Sequence, residues 1–154
     1  MPAPKITVYT DGASRGNPGP GGYGVVLMSG KHRKELSDGY SHTTNNRMEL
    51  LAVIKALEAL KIPGSEVTVI TDSKYVADAV GKGWVFNWFK KGFKGKKNAD
   101  LWMKFLDIYK KHKVTIKWIK GHNNNPFNER CDRLAVEASL QDDLKEDEGY
   151  VPEG

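Results

Sequence analysis

The sequence has few of the side chains that build disulfide bonds and soft metal sites. It contains one cysteine, Cys131, and four histidines among 154 residues. A single cysteine excludes an internal disulfide bond and a metal site built from cysteines. Any metal site in this chain would therefore rely mainly on oxygen ligands, which suit Mg²⁺ or Mn²⁺.

Long apolar runs are also missing. No stretch approaches the roughly 20 residues that cross a bilayer. The N-terminal residues, MPAPKITV, lack the charged and apolar regions of a secretory signal. We therefore expect a cytoplasmic protein with no membrane partner. The length suits one domain with a substantial core and is too short for two comfortable domains.

Acidic residues are scarce in one part of the chain. Residues 82–120 hold twelve lysines against Asp100 and Asp107, a net charge of +10, so the rest of the chain carries −5. At its densest this region reads GWVFNWFKKGFKGKKN, in which lysines alternate with aromatic residues. The rings alone are typical of a small aromatic core, but clustered lysines with few acids favour a polyanion, most simply a nucleic acid.

Residues 19–24, GPGGYG, match the letters of the dinucleotide-binding fingerprint GxGxxG. That fingerprint requires a helix next, whereas GVVLMSGK is β-branched and breaks at a Ser-Gly turn. Pro18 and Pro20 also remove two backbone N–H groups that a phosphate would need. We therefore predict a glycine- and proline-rich loop between two strands.

Alternating β-prone residues predict five strands, and longer amphipathic segments predict helices. The predicted strands are ITVYTDG, YGVVLM, KELSDGYS, VTVITDS and VTIKWIKG. The predicted helices are NRMELLAVIKALEAL, SKYVADAV, residues 98–111 and NERCDRLAVEASL. A meander followed by crossovers gives an α/β fold, with a single mixed five-stranded sheet, antiparallel and then parallel, and helices on both faces.

The composition predicts one main domain and a tail. The domain spans residues 1–141 and includes a basic protrusion at about 82–98. Residues 142–154 are acidic and poor in apolar side chains, so we expect a flexible C-terminal tail.

Four carboxylates have positions that suggest a common site. Two predicted strands end in Thr-Asp, which places Asp11 and Asp72 where each strand stops. Glu49 lies nine residues before Glu58, the centre of the polar arc of its helix, so at 100° per residue it points to the apolar side. Asp132 is expected in the first turn of the last helix. These carboxylates could converge at one edge of the sheet.

Each acid also has an ordinary structural interpretation. Glu49 could close a capping box with Asn46 as N-cap, and Asp72 could cap the following helix. Asp11 could be a turn residue, and Asp132 could interact with the helix dipole. If the four converge, however, they could not all stay ionised without cations.

A carboxylate cluster of this kind can hold two divalent ions about 4 Å apart, one activating a water and the other stabilising the leaving oxygen of a phosphodiester. This chemistry matches the basic segment, because lysines would bind the polyanion that the metals cut. The residues therefore favour a metal-dependent nuclease.

The order and spacing of four motifs resemble the type I ribonuclease H family in its bacterial single-domain form. The motifs are TDGASRGNPGPGGYG, TTNNRMELLA, TDSKYV and GHNNNPFNERCDRLA, and the resemblance runs from about residue 5 to 138. It implies an RNase H-like fold and an endoribonuclease that hydrolyses the RNA strand of RNA/DNA hybrids, leaving 5′-phosphate and 3′-hydroxyl ends. The implied cofactor is Mg²⁺, with Mn²⁺ as an alternative, and two ions are expected with substrate bound. Nothing in the sequence demands a protein partner or more than a monomer.

By position, the resemblance implies that Asp11, Glu49, Asp72 and Asp132 are the catalytic, metal-binding carboxylates. It also implies a catalytic histidine, His122, which assists proton transfer or product departure.

The resemblance further implies a set of substrate contacts. Around the minor groove, where ribose 2′-hydroxyls distinguish RNA from DNA, the residues are Asn17, Asn45 and Asn46. Near a DNA phosphate they are Thr44, Arg47 and Asn98. On the protrusion that grips the DNA strand through phosphates and sugars they are Trp84, Trp88, Lys90, Lys91, Lys94, Lys96 and Lys97. Lys74 is also expected to bind substrate, at a position where other members often carry an uncharged polar side chain.

Two other functions fit some of these features. A catalytically silent nucleic-acid-binding module would use the basic face without needing metal, but has no use for an inward-facing Glu49. An exonuclease, integrase or resolvase would place similar acids on a similar sheet and act on a different substrate. A structural protein without a ligand would leave the charge asymmetry and the acids unexplained.

Overall fold

The structure, a computed structural model, describes residues 4–121 and 125–151. Within these residues the chain forms five strands and five helices. In chain order they are β1 (Lys5–Ser14), β2 (Gly19–Ser29), β3 (His32–Thr43), α1 (Asn45–Glu58), β4 (Glu66–Thr71), α2 (Lys74–Gly81), α3 (Trp84–Lys90), α4 (Ala99–Tyr109), β5 (Lys113–Trp118) and α5 (Pro126–Ser139). No described helix is both long enough and apolar enough to cross a lipid bilayer.

All five strands belong to one sheet, in the order β3-β2-β1-β4-β5. β2 pairs antiparallel with both β1 and β3, whereas β4 lies parallel to both β1 and β5. The predicted mixed sheet, a meander followed by parallel crossovers, is confirmed.

Helices cover both faces of the sheet. The side chains of β2 alternate between the two faces, so apolar residues of this strand pack against helices on each side. Val25 and Leu27 belong to the core that includes α1, whereas Val26 packs with Cys131 and Leu134 of α5. α1 is buried along most of its length, since it lies between the sheet and α4.

The glycines of β2 allow α5 to lie directly against the sheet. A Cβ atom on Gly24 would overlap the carbonyl oxygen of Cys131, and one on Gly22 would overlap that of Ala135. The glycine-rich stretch is therefore strand from Gly19 onward, not the loop that we expected. It is followed by β3 rather than by a helix, which removes the dinucleotide-binding hypothesis.

Two helix starts differ from the predictions. Thr44 caps α1, and its side chain accepts the Arg47 N–H, so the capping box built on Asn46 is wrong. Ser73 caps α2, so Asp72 is not the N-cap. In both cases the hydroxyl of a residue within two positions of the expected cap accepts a backbone N–H of the helix terminus, so Glu49 and Asp72 are not needed for capping.

Three other boundaries also differ. β1 continues to Ser14, because it keeps pairing with β2 beyond its last pair with β4. α5 begins at Pro126, so Asp132 lies in its second turn rather than its first. The basic segment, for which we predicted no element, forms α3 over Trp84–Lys90 around the buried Val85.

The described part of the C-terminal tail packs along β3. The Lys145 N–H donates to the Gly39 carbonyl, and the Ser41 N–H donates to the Lys145 carbonyl. Further on, the Asp147 carboxylate accepts from Arg47 of α1. The domain limit at residue 141 stays a prediction, but the tail contacts the domain as far as Tyr150, whose ring lies 5.4 Å from that of His42 in β3.

Candidate active site

The parallel pair β1–β4 brings two aspartates to the same edge of the sheet. The last pair in its register is Thr10 with Thr71, and an aspartate follows each threonine. Asp72 comes after the end of β4, as predicted. Asp11 lies inside β1, opposite Gly24 of β2, so only its pairing with β4 has ended.

Glu49 reaches these aspartates because α1 begins directly over Gly12. A Cβ atom on Gly12 would overlap the backbone of Met48 and Glu49, so a larger residue would push the helix away. The Gly12 N–H donates to both Glu49 Oε1 at 2.8 Å and Asp11 Oδ1 at 2.9 Å. One backbone group therefore fixes two carboxylates side by side.

Three of the four predicted carboxylates form a compact group. One oxygen each from Asp11, Glu49 and Asp72 lies within 4.8 Å of the others. Asp11 and Glu49 are buried, with 6% and 8% of their surfaces exposed. Asp132, on α5, lines the same cleft but stands outside this compact group.

The electrostatics of the group favour a bound cation. Burial raises the pKa of Asp11 to about 7, and the negative charges of Asp72 and Asp132 add to the effect. Burial also raises the pKa of Glu49 well above its usual range, with further contributions from Asp11 and Asp72. Among the described residues, nothing donates a hydrogen bond to the buried Glu49 Oε2. A hard divalent cation fits these oxygens, because it would stabilise the ionised forms and satisfy that atom.

Two of the three asparagines predicted to contact the minor groove line the cleft, and the third is hydrogen-bonded to one of them. Asn45 and Asn46 line it together with Lys74. Asn17 Oδ1 accepts from the Asn45 N–H at 3.1 Å, and Ser14 Oγ donates to Asn45 Oδ1 at 2.9 Å. These bonds hold the loop after β1 against the start of α1. The sequence patterns did not identify Ser14 as a residue that positions Asn45.

Arg47 does not reach the cleft surface, although the resemblance implied contact with a phosphate there. Only 2% of its surface is exposed. Its Nε and two terminal nitrogens donate to the carboxylates of Asp100 and Asp147 and to Asn98 Oδ1. These bonds account for all five guanidinium N–H groups. Arg47 is therefore engaged inside the protein, whereas the half-buried Thr44 caps α1 and its predicted phosphate contact stays a prediction.

Asn98 connects this buried arginine to the cleft. Its Nδ2 donates to the Tyr75 hydroxyl at 3.1 Å, and Trp102 donates to the same hydroxyl at 2.8 Å. Tyr75 itself lines the cleft beside Lys74. The sequence patterns did not identify Tyr75, because its partner lies 23 residues away on another helix.

The basic protrusion forms a second concave surface. Trp84, Trp88, Lys91, Lys94 and Lys96 line it, with Lys96 Nζ 5.0 Å from the Trp88 ring centroid. Lys90 and Lys97 are exposed nearby. The aromatic residues divide, since Trp88 packs edge-on against the buried Trp102 while Trp84 remains 44% exposed. The predicted aromatic core with lysines on its surface is therefore present, and binding of a polyanion by those lysines stays a prediction.

His122 lies outside the described residues, so its predicted role stays a prediction.

Comparisons with known proteins agree with this architecture. A sequence model of the RNase H family matches residues 3–140. The chain is 56% identical over 151 residues to a ribonuclease H of Trichodesmium erythraeum (strain IMS101), covering 95% of this chain and 96% of that protein. It is 53% identical over 154 residues to a ribonuclease H of Syntrophus aciditrophicus (strain SB), covering 97% and 88%.

Two solved structures also superpose on the chain. LC9-RNase H1, a type 1 RNase H with the type 2 active-site motif, gives a TM-score of 0.82 at 33% identity, covering 90% of this chain and 74% of that one. LC11-RNase H1 in complex with an RNA/DNA hybrid gives 0.69 at 30% identity, covering 86% and 95%. On the sequence match, the sheet order and the carboxylate cluster together, the chain belongs to the ribonuclease H family.

Proposed function

We propose that the chain is an endoribonuclease that hydrolyses the RNA strand of RNA/DNA hybrids, with Mg²⁺ as its cofactor. The observation that carries the proposal is the convergence of Asp11, Glu49 and Asp72 at one cleft, with oxygens within 4.8 Å of one another. Family membership supplies the substrate class, since the relatives are ribonucleases H and one was solved with an RNA/DNA hybrid.

The cleft residues have distinct tasks in this reaction. The divalent ions would be held by Asp11, Glu49, Asp72 and Asp132. Two ions are expected when substrate is bound. When bound, such ions supply the positive charge that activates the attacking water and stabilises the leaving 3′-oxygen. The Gly12 N–H keeps the Asp11 and Glu49 carboxylates oriented before any ion arrives. His122 would assist proton transfer or product departure.

Substrate selection follows from the two concave surfaces. Asn17, Asn45 and Asn46 would contact the minor groove of the hybrid, where ribose 2′-hydroxyls are accessible. The protrusion would bind phosphates and sugars of the DNA strand through its lysines and Trp84. We assign the buried Arg47 an indirect part, since it fastens Asn98.

The products would carry 5′-phosphate and 3′-hydroxyl ends, and we propose a cytoplasmic monomer.

A substrate panel tests this function. Purified protein is incubated with end-labelled RNA/DNA hybrid, single-stranded RNA, duplex RNA and duplex DNA, each with Mg²⁺, with Mn²⁺ and with EDTA. The expected result is metal-dependent cleavage of the RNA strand of the hybrid alone. Binding without cleavage would favour the silent module, and cleavage of duplex DNA would indicate another nuclease built on this fold.

A further inference from the structure

Trp118, the last residue of β5, stands beside the cleft although none of the sequence motifs includes it. β5 runs parallel to β4, and Trp118 pairs with Thr71, the residue before Asp72. The indole N–H donates to the Asp72 carbonyl at 3.1 Å. The side chain is not a core residue, because 42% of its surface remains exposed.

A lysine ammonium lies over the face of the indole ring. Lys74 Nζ lies 5.0 Å from the centre of the Trp118 ring, within the range of a cation–π interaction, for which indole is the best aromatic partner. Lys74 also lines the cleft with Asp11, Glu49 and Asp72. None of the ion pairs found in residues 4–121 and 125–151 includes Lys74.

The absence of a Lys74 ion pair in that region calls for a physical reason. Lys74 follows Asp72 by two positions and shares a cleft with four carboxylates, so its flexible side chain has nearby negative partners. An ion pair with them would occupy oxygens that a divalent ion needs and would withdraw the ammonium from the substrate. The Trp118 ring offers an alternative partner that leaves the ammonium open to a further anion.

We propose that Trp118 is a positioning residue that holds the Lys74 ammonium at the cleft for a backbone phosphate of the hybrid and away from the metal-binding carboxylates. This inference rests on the proposed function, because it concerns the same cleft. Trp118 acts through Lys74, whose compact charge suits a single phosphate oxygen, and its bond to the Asp72 carbonyl fixes the ring relative to the site.

A double-mutant cycle tests the link between the two residues. Hybrid affinity is measured in EDTA, so that no cleavage occurs, for wild type, Trp118→Leu, Lys74→Met and the double variant. Each single variant should weaken binding about 2- to 5-fold and lower the slope of log K against log salt by about one unit. The double variant should bind no worse than Lys74→Met alone, because the role of Trp118 disappears with the lysine.

Two further variants serve as controls for this interpretation. Trp118→Phe keeps a ring face and should retain most of the affinity, and thermal melts of every variant check folding. Trp84→Leu is a matched control, since Trp84 is similarly exposed and carries Lys82 Nζ at 5.1 Å from its ring centre. Its effect should multiply with that of Lys74→Met. If the Trp118→Leu effect also multiplies, or is absent, the positioning role is overturned.

A second measurement does not depend on the substrate. Mn²⁺ binding to the protein alone is followed by titration calorimetry. Trp118→Leu should weaken Mn²⁺ binding severalfold, because the released Lys74 can pair with the carboxylates, and adding Lys74→Met should restore it. Unchanged Mn²⁺ binding in Trp118→Leu would contradict the proposal. If wild type neither bound nor cut the hybrid, the proposed function would fail, while this titration would still decide whether Trp118 keeps Lys74 off the carboxylates.

Discussion

At the residue scale, the site depends on one backbone N–H and on the absence of one side chain. Gly12 donates to two carboxylates and leaves room for the start of α1. The sequence predicted that Glu49 faces inward, because helical periodicity is reliable in a long amphipathic segment. It did not predict the shared donor, because that bond joins positions 37 residues apart.

Asp72→Asn should abolish cleavage while leaving hybrid binding largely intact. The amide keeps the shape of the side chain but is a poorer ligand for a divalent ion. We expect turnover to fall by more than about 100-fold, since even the outer partners of metal ligands contribute 10- to 100-fold. Steady-state cleavage and hybrid affinity in EDTA are the measurements. Asp78→Asn, on the exposed side of α2, is the control, and near-wild-type turnover in Asp72→Asn would refute the metal assignment.

Without divalent ions, the raised pKa of Asp11 should make stability depend on pH. The folded protein holds this proton more tightly than the unfolded chain, since the pKa rises from 3.8 to about 7. The free energy of unfolding should therefore fall as pH rises from about 4 to about 7, and a pKa shift of this size in one carboxyl corresponds to about 4 kcal/mol. Urea denaturation in EDTA across this range measures the effect. Asp11→Asn should remove this part of the decrease and leave only the part that the raised pKa of Glu49 contributes, and a wild-type profile no steeper than that of the variant would contradict the prediction.

At the element scale, the fold follows from periodicity, whereas the helix starts do not. Alternation predicted all five strands, and helical spacing predicted α1, α2, α4 and α5. The starts were misplaced because neighbouring residues such as Ser73 and Asp72 are both good caps, and only tertiary contacts select one. α3 was missed because its aromatic and lysine residues show no clear periodicity over seven positions.

Gly24→Ala should displace α5 and with it Asp132. The added Cβ would overlap the backbone of Cys131, which cannot move without shifting the helix. We expect a loss of about 3 kcal/mol in stability together with reduced cleavage. Thermal denaturation and turnover are compared with those of Gly81→Ala, since a Cβ at Gly81 meets nothing within 4 Å. Equal stability of the two variants would show that the glycine is not required for packing.

At the scale of the whole molecule, charge is divided between two concave surfaces with different tasks. The acids converge at the cleft, the lysines gather on the protrusion, and a buried ion-pair network joins α1, α4 and the tail through Arg47. The sequence predicted the first from the positions of the acids in strands and helices, and the second from local composition. It could not predict the third, because the partners of Arg47 lie 53 and 100 residues away.

Replacing Lys94, Lys96 and Lys97 together with Ala should weaken hybrid binding and flatten its salt dependence. Each phosphate that a lysine no longer neutralises lowers the slope of log K against log salt by about one unit. Affinity is measured at several salt concentrations. Lys31, Lys34 and Lys61, at the opposite end of β1 from the cleft, provide a triple-alanine control with the same change in charge. An unchanged slope in the first variant would mean that the protrusion is not the phosphate-binding surface.

Asp147→Ala should destabilise the domain even though the residue belongs to the tail. Its carboxylate accepts from Arg47 and from the Thr43 hydroxyl, and its side chain is only 10% exposed. Removing it leaves the buried Arg47 guanidinium with only one carboxylate partner, which should lower the free energy of unfolding by about 3 kcal/mol. Urea denaturation measures the change against Glu148→Ala, an exposed neighbour that should be neutral. If Asp147→Ala leaves the free energy of unfolding unchanged, the tail is dispensable for stability.

The pairing of Arg47 with Asp147 also has a consequence for biosynthesis. The two residues are separated by 100 positions, which a ribosome adding about 5–20 residues per second crosses in roughly 5–20 s. For about the first half of that interval the Arg47 guanidinium lacks both carboxylates, and after Asp100 has been added, 53 positions on, it still lacks one. The native packing around Arg47 in α1 can therefore be completed only after the tail has been translated.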